Sequence, residues 1–175
     1  MRAGNHDGFT LIEMMIAITV LSIVLALGMP SYRVWIQNSK LRNAAESILN
    51  GLQLARSEAV ARNAPVQFML DAGSAWTICS LNGDDCDETI QTRHTGEGSS
   101  AQVTVVTTPA GETKIVFDSL GRAKAATGGQ LVTAIDLDVD PSVLPAEDSR
   151  NLRIQITGGV RMCDPEVSAP DARAC

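Results

Sequence analysis

Hydrophobic residues are densest in the first 30 positions of this chain. The segment Phe9–Met29 has 21 residues, and Glu13 is its only charged side chain. At about 1.5 Å per residue, such a helix is about 31 Å long, close to the thickness of the hydrocarbon layer of a bilayer. The pattern therefore predicts a transmembrane helix at 9–29, preceded by the short polar stretch 1–8.

A second helical pattern follows Pro30, which lacks an amide proton and is expected to kink or interrupt the helix. Apolar residues then recur at steps of three and four, which predicts an amphipathic helix that packs on a folded domain. A helix that binds a partner protein is the alternative. The apolar face consists of Leu41, Ala45, Ile48, Leu52, Ala55 and Ala59. We expect this continuation to cover 30–63 and to end at Asn63 and Pro65.

Beyond Pro65 the hydrophobic period changes to two, the spacing of a strand with one buried face. Segments of this kind are separated by Gly, Asn, Asp or Pro. They lie within 65–70, 75–81, 101–108, 113–119, 130–140 and 151–163. The expected fold class is therefore α+β, with one long N-terminal helix packed on an antiparallel β-sheet or sandwich domain at 64–175.

Charge and composition narrow the range of functions. The formal net charge is -6 and only 3% of the residues are aromatic, which disfavours general nucleic-acid binding through phosphates or base stacking. His94 is the only histidine after residue 8, and no GxSxG sequence is present. We therefore expect no enzyme, assign no catalytic residue and expect no cofactor.

Four cysteines follow the apolar segment: Cys79, Cys86, Cys163 and Cys175. An even number in this position favours two disulfides in an oxidising compartment. We favour the pairs Cys79–Cys86 and Cys163–Cys175, because each closes a short local loop. Free buried thiols and a zinc site stay open as alternatives, although no CxxC pair is present and the spacings fit no common zinc module.

An acidic run at 136–147 has part of the spacing of a calcium-binding loop. Its carboxylates are Asp136, Asp138, Asp140 and Glu147. Pro141 stands where such a loop needs glycine for its sharp turn. We therefore expect no metal, and predict instead a strand with its apolar residues inward and its aspartates outward.

The stretch GFTLIEMMIAITVLSIVLALGMP, from Gly8 to Pro30, resembles the class III leader and N-terminal helix of type IV pilins and type II secretion pseudopilins. The matching features are Gly8 before Phe9, a run ending at Glu13, the apolar stretch and Pro30. The resemblance implies that 1–8 is a leader peptide, which a prepilin peptidase removes between Gly8 and Phe9. It also implies N-methylation of the new Phe9 amine, and roles in assembly for Phe9, Glu13 and Pro30.

Elementary electrostatics agrees with a role for Glu13 in assembly. Its carboxylate lies one helical turn from Phe9 on the same face, and could pair with the cationic amine of a neighbouring subunit in an apolar filament core. Removing one partner of such a buried pair costs about 3–5 kcal/mol. The helix dipole stabilises a carboxylate near an N-terminus by only about 0.3–1 kcal/mol, too little to account for a charge within an apolar span.

The stretches LQLARSEAVARNAPV, FDSLGR and RIQITGGVRMC resemble the GspH/FimT branch of minor pilins and pseudopilins. The resemblance implies the pilin-like lollipop fold and a minor type IV pilin that enters or primes a type IV pilus. A GspH-like pseudopilin of type II secretion is the alternative. The implied partners are other pilins or pseudopilins, the prepilin peptidase and the inner-membrane assembly platform.

The expected location is the inner membrane, crossed once, with the C-terminal domain in the periplasm before the chain enters a filament. Arg33, Lys40 and Arg42 follow the span, and by the positive-inside rule they would place that domain in the cytoplasm. The cysteines favour the oxidising side, and we follow the cysteines and the resemblance.

A DNA-uptake receptor is the hypothesis from a different functional class. Some FimT-like pilins bind DNA through a GRxR motif, and the aligned stretch here is GGVR, residues 158–161. Gly159 stands in place of the first arginine, so Arg161 and nearby Arg153 are the possible DNA contacts. Arg150 and Arg173 could extend them into a basic strip, in which each lost phosphate contact would weaken binding in a salt-dependent way.

Overall fold

The structure, a computed structural model, describes residues 9–97 and 100–175. The chain divides into two units, Met1–Trp35 and Ile36–Cys175. The described residues form one helix and nine strands. These are α1 (Leu11–Arg62), β1 (Val66–Leu70), β2 (Trp76–Asn82), β3 (Asp85–Arg93), β4 (Val103–Thr108), β5 (Lys114–Phe117), β6 (Ala123–Ala125), β7 (Ala134–Val139), β8 (Leu152–Gln155) and β9 (Arg161–Cys163).

Helix α1 continues through Pro30 without a break. Of the two effects expected of Pro30, a kink or an interruption, the interruption is therefore wrong, because the ring removes one backbone hydrogen bond while the neighbouring turns keep theirs. The end of the helix agrees with the prediction. Asn63 has a φ of 51°, a left-handed conformation that commonly ends a helix, and the Ala64 amide donates to the Ala59 carbonyl at 3.2 Å.

The first unit presents its side chains to the surroundings. Every described side chain from Phe9 to Arg33 is exposed, although the residues up to Met29 are almost all apolar. Among the described residues, α1 is the helix that is long and apolar enough to cross a membrane, judged by length and composition.

The second unit contains the hydrophobic core. Its part of α1 buries one face, which includes the predicted apolar residues between Leu41 and Ala59. That face packs on Phe68 of β1 and Trp76 of β2, whose rings lie so close to Gly51 that a Cβ built there would be 2.8 Å from Phe68 Cε2. The Trp76 indole Nε1–H donates to Ser47 Oγ at 3.0 Å inside this contact, so the only polar atom of the buried ring is satisfied.

The strands form two antiparallel sheets, as expected. One sheet has five strands in the order β3-β2-β1-β5-β6, and the other has four in the order β4-β7-β8-β9. Strand β7 shows the predicted alternation, with Ile135, Leu137 and Val139 buried and the residues between them partly exposed. The predicted segment 151–163 is split into β8 and β9, because Gly158 and Gly159 turn the chain with φ values of 79° and 144°.

Two strands were not predicted from the sequence. Strand β3, with the sequence DCDETIQTR, lies at the edge of the five-stranded sheet and has no fully buried residue. Its two faces meet similar surroundings, so no apolar alternation marks it. Strand β6 has only three residues, which is too short for a periodic pattern to show.

Candidate functional site

The N-terminal segment offers an exposed carboxylate at the start of α1. The Glu13 amide donates to Thr10 Oγ1 at 3.2 Å, so Thr10 acts as the N-cap that the first turn needs. Phe9 is 79% exposed. Among the described residues, the Glu13 carboxylate has no ion-pair partner. Gly8, the predicted cleavage residue, lies outside the described residues.

Two disulfides link nearby segments of the β domain. Cys79 of β2 is bonded to Cys86 of β3 across their hairpin, and Cys163 of β9 is bonded to Cys175. These are the two local pairs favoured from the sequence. The second bond holds the C-terminal tail against β9, where the Asp164 amide also donates to the Arg173 carbonyl at 2.7 Å. The tail is therefore fixed by both a covalent and a backbone contact.

Arg153 and Arg161 lie on one face of the four-stranded sheet. In the register of β8 and β9, Arg161 is opposite Gln155, and Gln155 shares its face with Arg153 because alternate residues of a strand point the same way. Arg161 Nε donates to Gln155 Oε1 at 2.8 Å. The structure thus brings the two predicted DNA contacts together on one surface.

An aspartate already engages Arg153. Its guanidinium donates to both carboxylate oxygens of Asp136, at 2.7 and 3.2 Å, and this hydrogen bonding raises the pKa of Arg153 above its usual value. Arg173 is likewise paired with Asp171 at 2.8 Å, and the Arg173 side chain lowers the pKa of Asp171 to about 2. These pairs reduce the positive charge that a phosphate backbone would meet, which weighs against a DNA-binding surface here.

A groove of about 330 Å³ lies next to the loop between β8 and β9. Its walls come from α1, from the turn between β5 and β6, and from the loop between β8 and β9 that contains the GGVR glycines. The lining residues include Arg56, Phe117, Arg122, Leu131 and Ile156, together with 157–160. Sequence reasoning missed Arg56 and Arg122, because they come near the loop only through the packing of α1 on the sheets.

The carboxylates of the calcium-like run have other partners. Asp136 pairs with Arg153, Asp138 accepts a hydrogen bond from the Ser149 hydroxyl, and Asp140 Oδ1 accepts from the Ser142 amide at 2.8 Å. Hydrogen bonds from Ser142 lower the pKa of Asp140. Within the described part of the chain, no group of His, Cys, Asp and Glu side chains is arranged to hold a metal ion. His94 is exposed just after β3.

Comparison with known families gives two matches. The family model described as type II transport protein GspH matches residues 44–159, and the model of a prokaryotic N-terminal methylation motif matches residues 4–29. Comparison with curated protein sequences gives no match.

Solved structures of two proteins are similar to this one. The type IV minor pilin FimU of Pseudomonas aeruginosa is 22% identical with a TM-score of 0.50, over 70% of this chain and 87% of that chain. The minor pseudopilin EpsH from the type 2 secretion system of Vibrio cholerae is 17% identical with a TM-score of 0.45, over 73% of this chain and 99% of that chain. At such identity, the likeness to FimU shows a shared fold.

Proposed function

We propose that this chain, which belongs to the GspH family of pilin-like proteins, is a minor type IV pilin of the FimT/FimU kind that enters a type IV pilus or primes its assembly. One observation carries the proposal. The N-terminal methylation motif at 4–29 covers the exposed apolar start of α1 and is followed by the GspH match at 44–159. A processed, filament-forming helix joined to a folded head is the organisation that a pilin needs.

The proposed sequence of events starts in the inner membrane. The segment Phe9–Met29 holds the chain there, and a prepilin peptidase cleaves after Gly8 and leaves Phe9 as the N-methylated terminus. The β domain lies in the periplasm, an assignment supported by its two disulfides, since such bonds persist in oxidising compartments. The chain then moves through the assembly platform into a filament, beside other pilins.

Glu13 is proposed to register the incoming subunit. Its carboxylate is exposed and without an ion pair in the described chain, so it is available to the Phe9 amine of a neighbouring subunit. In the apolar interior of a filament, that pair would be strongly favoured over either charge alone, by about 3–5 kcal/mol.

The test compares Glu13→Gln with the charge-conserving Glu13→Asp in cells that make the filament. Glu13→Gln should be processed normally but be absent from sheared filaments, whereas Glu13→Asp should retain part of its incorporation. Mass spectrometry of the N-terminus reports processing, and immunoblots of sheared filaments report assembly. Normal incorporation of Glu13→Gln would show that Glu13 has no pairing role.

Gly8→Ala should leave the leader uncut, and a mature terminus at Phe9 in that variant would contradict the cleavage site.

A pseudopilin of type II secretion is the second candidate, favoured by the description of the matching family as a type II transport protein. The two candidates differ in the loss that follows deletion of the gene. A minor pilin deletion should reduce surface pili and leave protein secretion intact. A pseudopilin deletion should have the opposite effect, and that result would replace the first proposal by the second.

A further inference from the structure

Aromatic side chains are scarce in this protein, and two of them stand together. The chain has one tyrosine and two tryptophans. Tyr32 and Trp35 lie three residues apart on α1 with their rings stacked, at a centroid distance of 6.0 Å. They are 61% and 65% exposed, whereas the other tryptophan, Trp76, is only 2% exposed. The Tyr32–Trp35 pair therefore presents its apolar ring surface outside any core of the described chain.

The position of the pair along α1 follows from helix geometry. The apolar run ends at Met29, and a rise of about 1.5 Å per residue places Tyr32 about 4.5 Å and Trp35 about 9 Å further along the axis. A bilayer has about 5–7 Å of headgroup layer on each side of its hydrocarbon. If Phe9–Met29 fills the hydrocarbon, the rings lie in or just beyond the headgroup layer on the far side.

The chemistry of these residues suits that layer. Indole and phenol rings have an apolar body and one polar group, and are enriched where lipid tails meet water. Arg33 lies between Tyr32 and Trp35 in the sequence and is exposed, so its guanidinium can bind lipid phosphate. Apart from Glu13, it is the first charged side chain after Phe9.

We propose that Tyr32, Arg33 and Trp35 bind the lipid headgroup layer and fix the depth at which α1 sits in the membrane before assembly. This inference rests on the proposed function, because it requires Phe9–Met29 to span a bilayer. It adds a surface with a defined partner, the glycerol and phosphate level of the membrane on the side of the β domain.

The test uses the full chain reconstituted into vesicles of phosphatidylcholine and phosphatidylglycerol. The lipids carry bromine, which quenches tryptophan, either near the glycerol end or near the methyl end of the acyl chains. Bromine near the glycerol end should cause the greater loss of Trp35 emission. The control Trp35→Phe retains only Trp76, whose emission should be insensitive to both lipids. Adding Tyr32→Trp to Trp35→Phe should restore the preference for the bromine near the glycerol.

A second arm separates anchoring from mere position. The vesicles are then made from lipids with longer acyl chains. If the headgroups hold the rings, bromine near the glycerol end should still quench Trp35 more than bromine near the methyl end. If the helix slides freely, the rings should move deeper and this preference should shift. Stronger quenching by the deep bromine, no quenching in protein that floats with the vesicles, or a shift with bilayer thickness would each overturn the inference. Protein that fails to float with the vesicles would overturn the membrane span itself, and flotation is measured separately.

Discussion

Gly51 is the position in α1 where one added methyl group has the most direct consequence. It is buried on the face of the helix that packs against β1 and β2. We expect Gly51→Ala to destabilise the β domain, although alanine is the better helix former. The two effects oppose each other, so the structure has to decide which is larger.

The distances favour the packing effect. An ideal Cβ at Gly51 would lie 2.8 Å from Phe68 Cε2, and 3.0 and 3.1 Å from two carbons of the Trp76 indole. Both rings are buried and lie 5.7 Å apart between centroids, and Trp76 is also held by its hydrogen bond to Ser47. Neither ring can move aside without disturbing the core. Overpacking costs about 1–3 kcal/mol and alanine returns about 1 kcal/mol over glycine, so we expect a net loss of about 1 kcal/mol.

The assay is urea unfolding of the fragment Ile36–Cys175, which retains every buried residue of the described chain, from Leu41 to Cys163. Trp76 is the only tryptophan in that fragment, so its fluorescence reports the packing that the substitution disturbs. The exposed helical position Gln53 supplies the matched control. The difference between Gln53→Ala and Gln53→Gly measures the helix preference of alanine without any contact to the core.

Gly51→Ala could instead be more stable than the parent fragment, by the same free energy that separates Gln53→Ala from Gln53→Gly. That result would mean that the rings yield to a methyl group at no cost. A Gly51→Ala fragment of lower stability with an unchanged dependence on urea concentration would place the loss in the folded state, as the packing argument requires.

Two further predictions concern the disulfide-closed tail and the turn before β6. Replacing both Cys163 and Cys175 by serine should lower the free energy of unfolding by about 3 kcal/mol, the chain-entropy value for a loop of this length; urea unfolding that matches the parent would show that the tail contributes nothing. The Asp118 carboxylate accepts from the Arg122 amide at 2.9 Å and pairs with the Arg122 and Lys124 side chains, contacts that lower its pKa. Its contribution to stability is therefore present at neutral pH and is lost as the pH falls below the unfolded value of about 3.9. Asp118→Asn should be less stable than the parent at pH 7, and the gap should close in acid; a gap that is independent of pH would refute the assignment.

The sequence predicted those helices and strands that bury only one side, because their apolar residues then recur at a regular spacing. Three- and four-residue steps placed the buried face of α1, and alternation at Ile135, Leu137 and Val139 placed β7, because each has one side against the core. Strand β3 has no such contrast and was missed. The continuity of α1 at Pro30 also could not be read locally, because the effect of one lost hydrogen bond depends on the strength of the helix on both sides.

For the surface around the GGVR stretch, the sequence could not predict which side chains pair with the arginines. Asp136 and Arg153 are 17 residues apart and become partners only through the register of β7 and β8. Arg56 reaches the groove from α1, about a hundred residues before the loop that it faces. Sequence reasoning could name the arginines, but their partners depend on tertiary packing, and the partners decide how much charge is left for a ligand.

Glu13 is the one charged side chain in the exposed apolar surface at the start of α1, and its charge bears on which environment covers that surface. Both a bilayer and a filament interior can cover the apolar residues of 9–29, so these residues alone distinguish poorly between the two environments. A carboxylate distinguishes them, because an acidic side chain at mid-membrane is unfavourable by about 3 kcal/mol on insertion scales, whereas in the proposed filament a cationic amine would pair with it. The apolar residues thus permit both locations, and we infer that the one charge favours the filament. Under the proposed function, its place near the start of α1 would keep the cost of residence in the membrane below the mid-membrane value, so that the subunit could stay in the bilayer before its uptake into the filament.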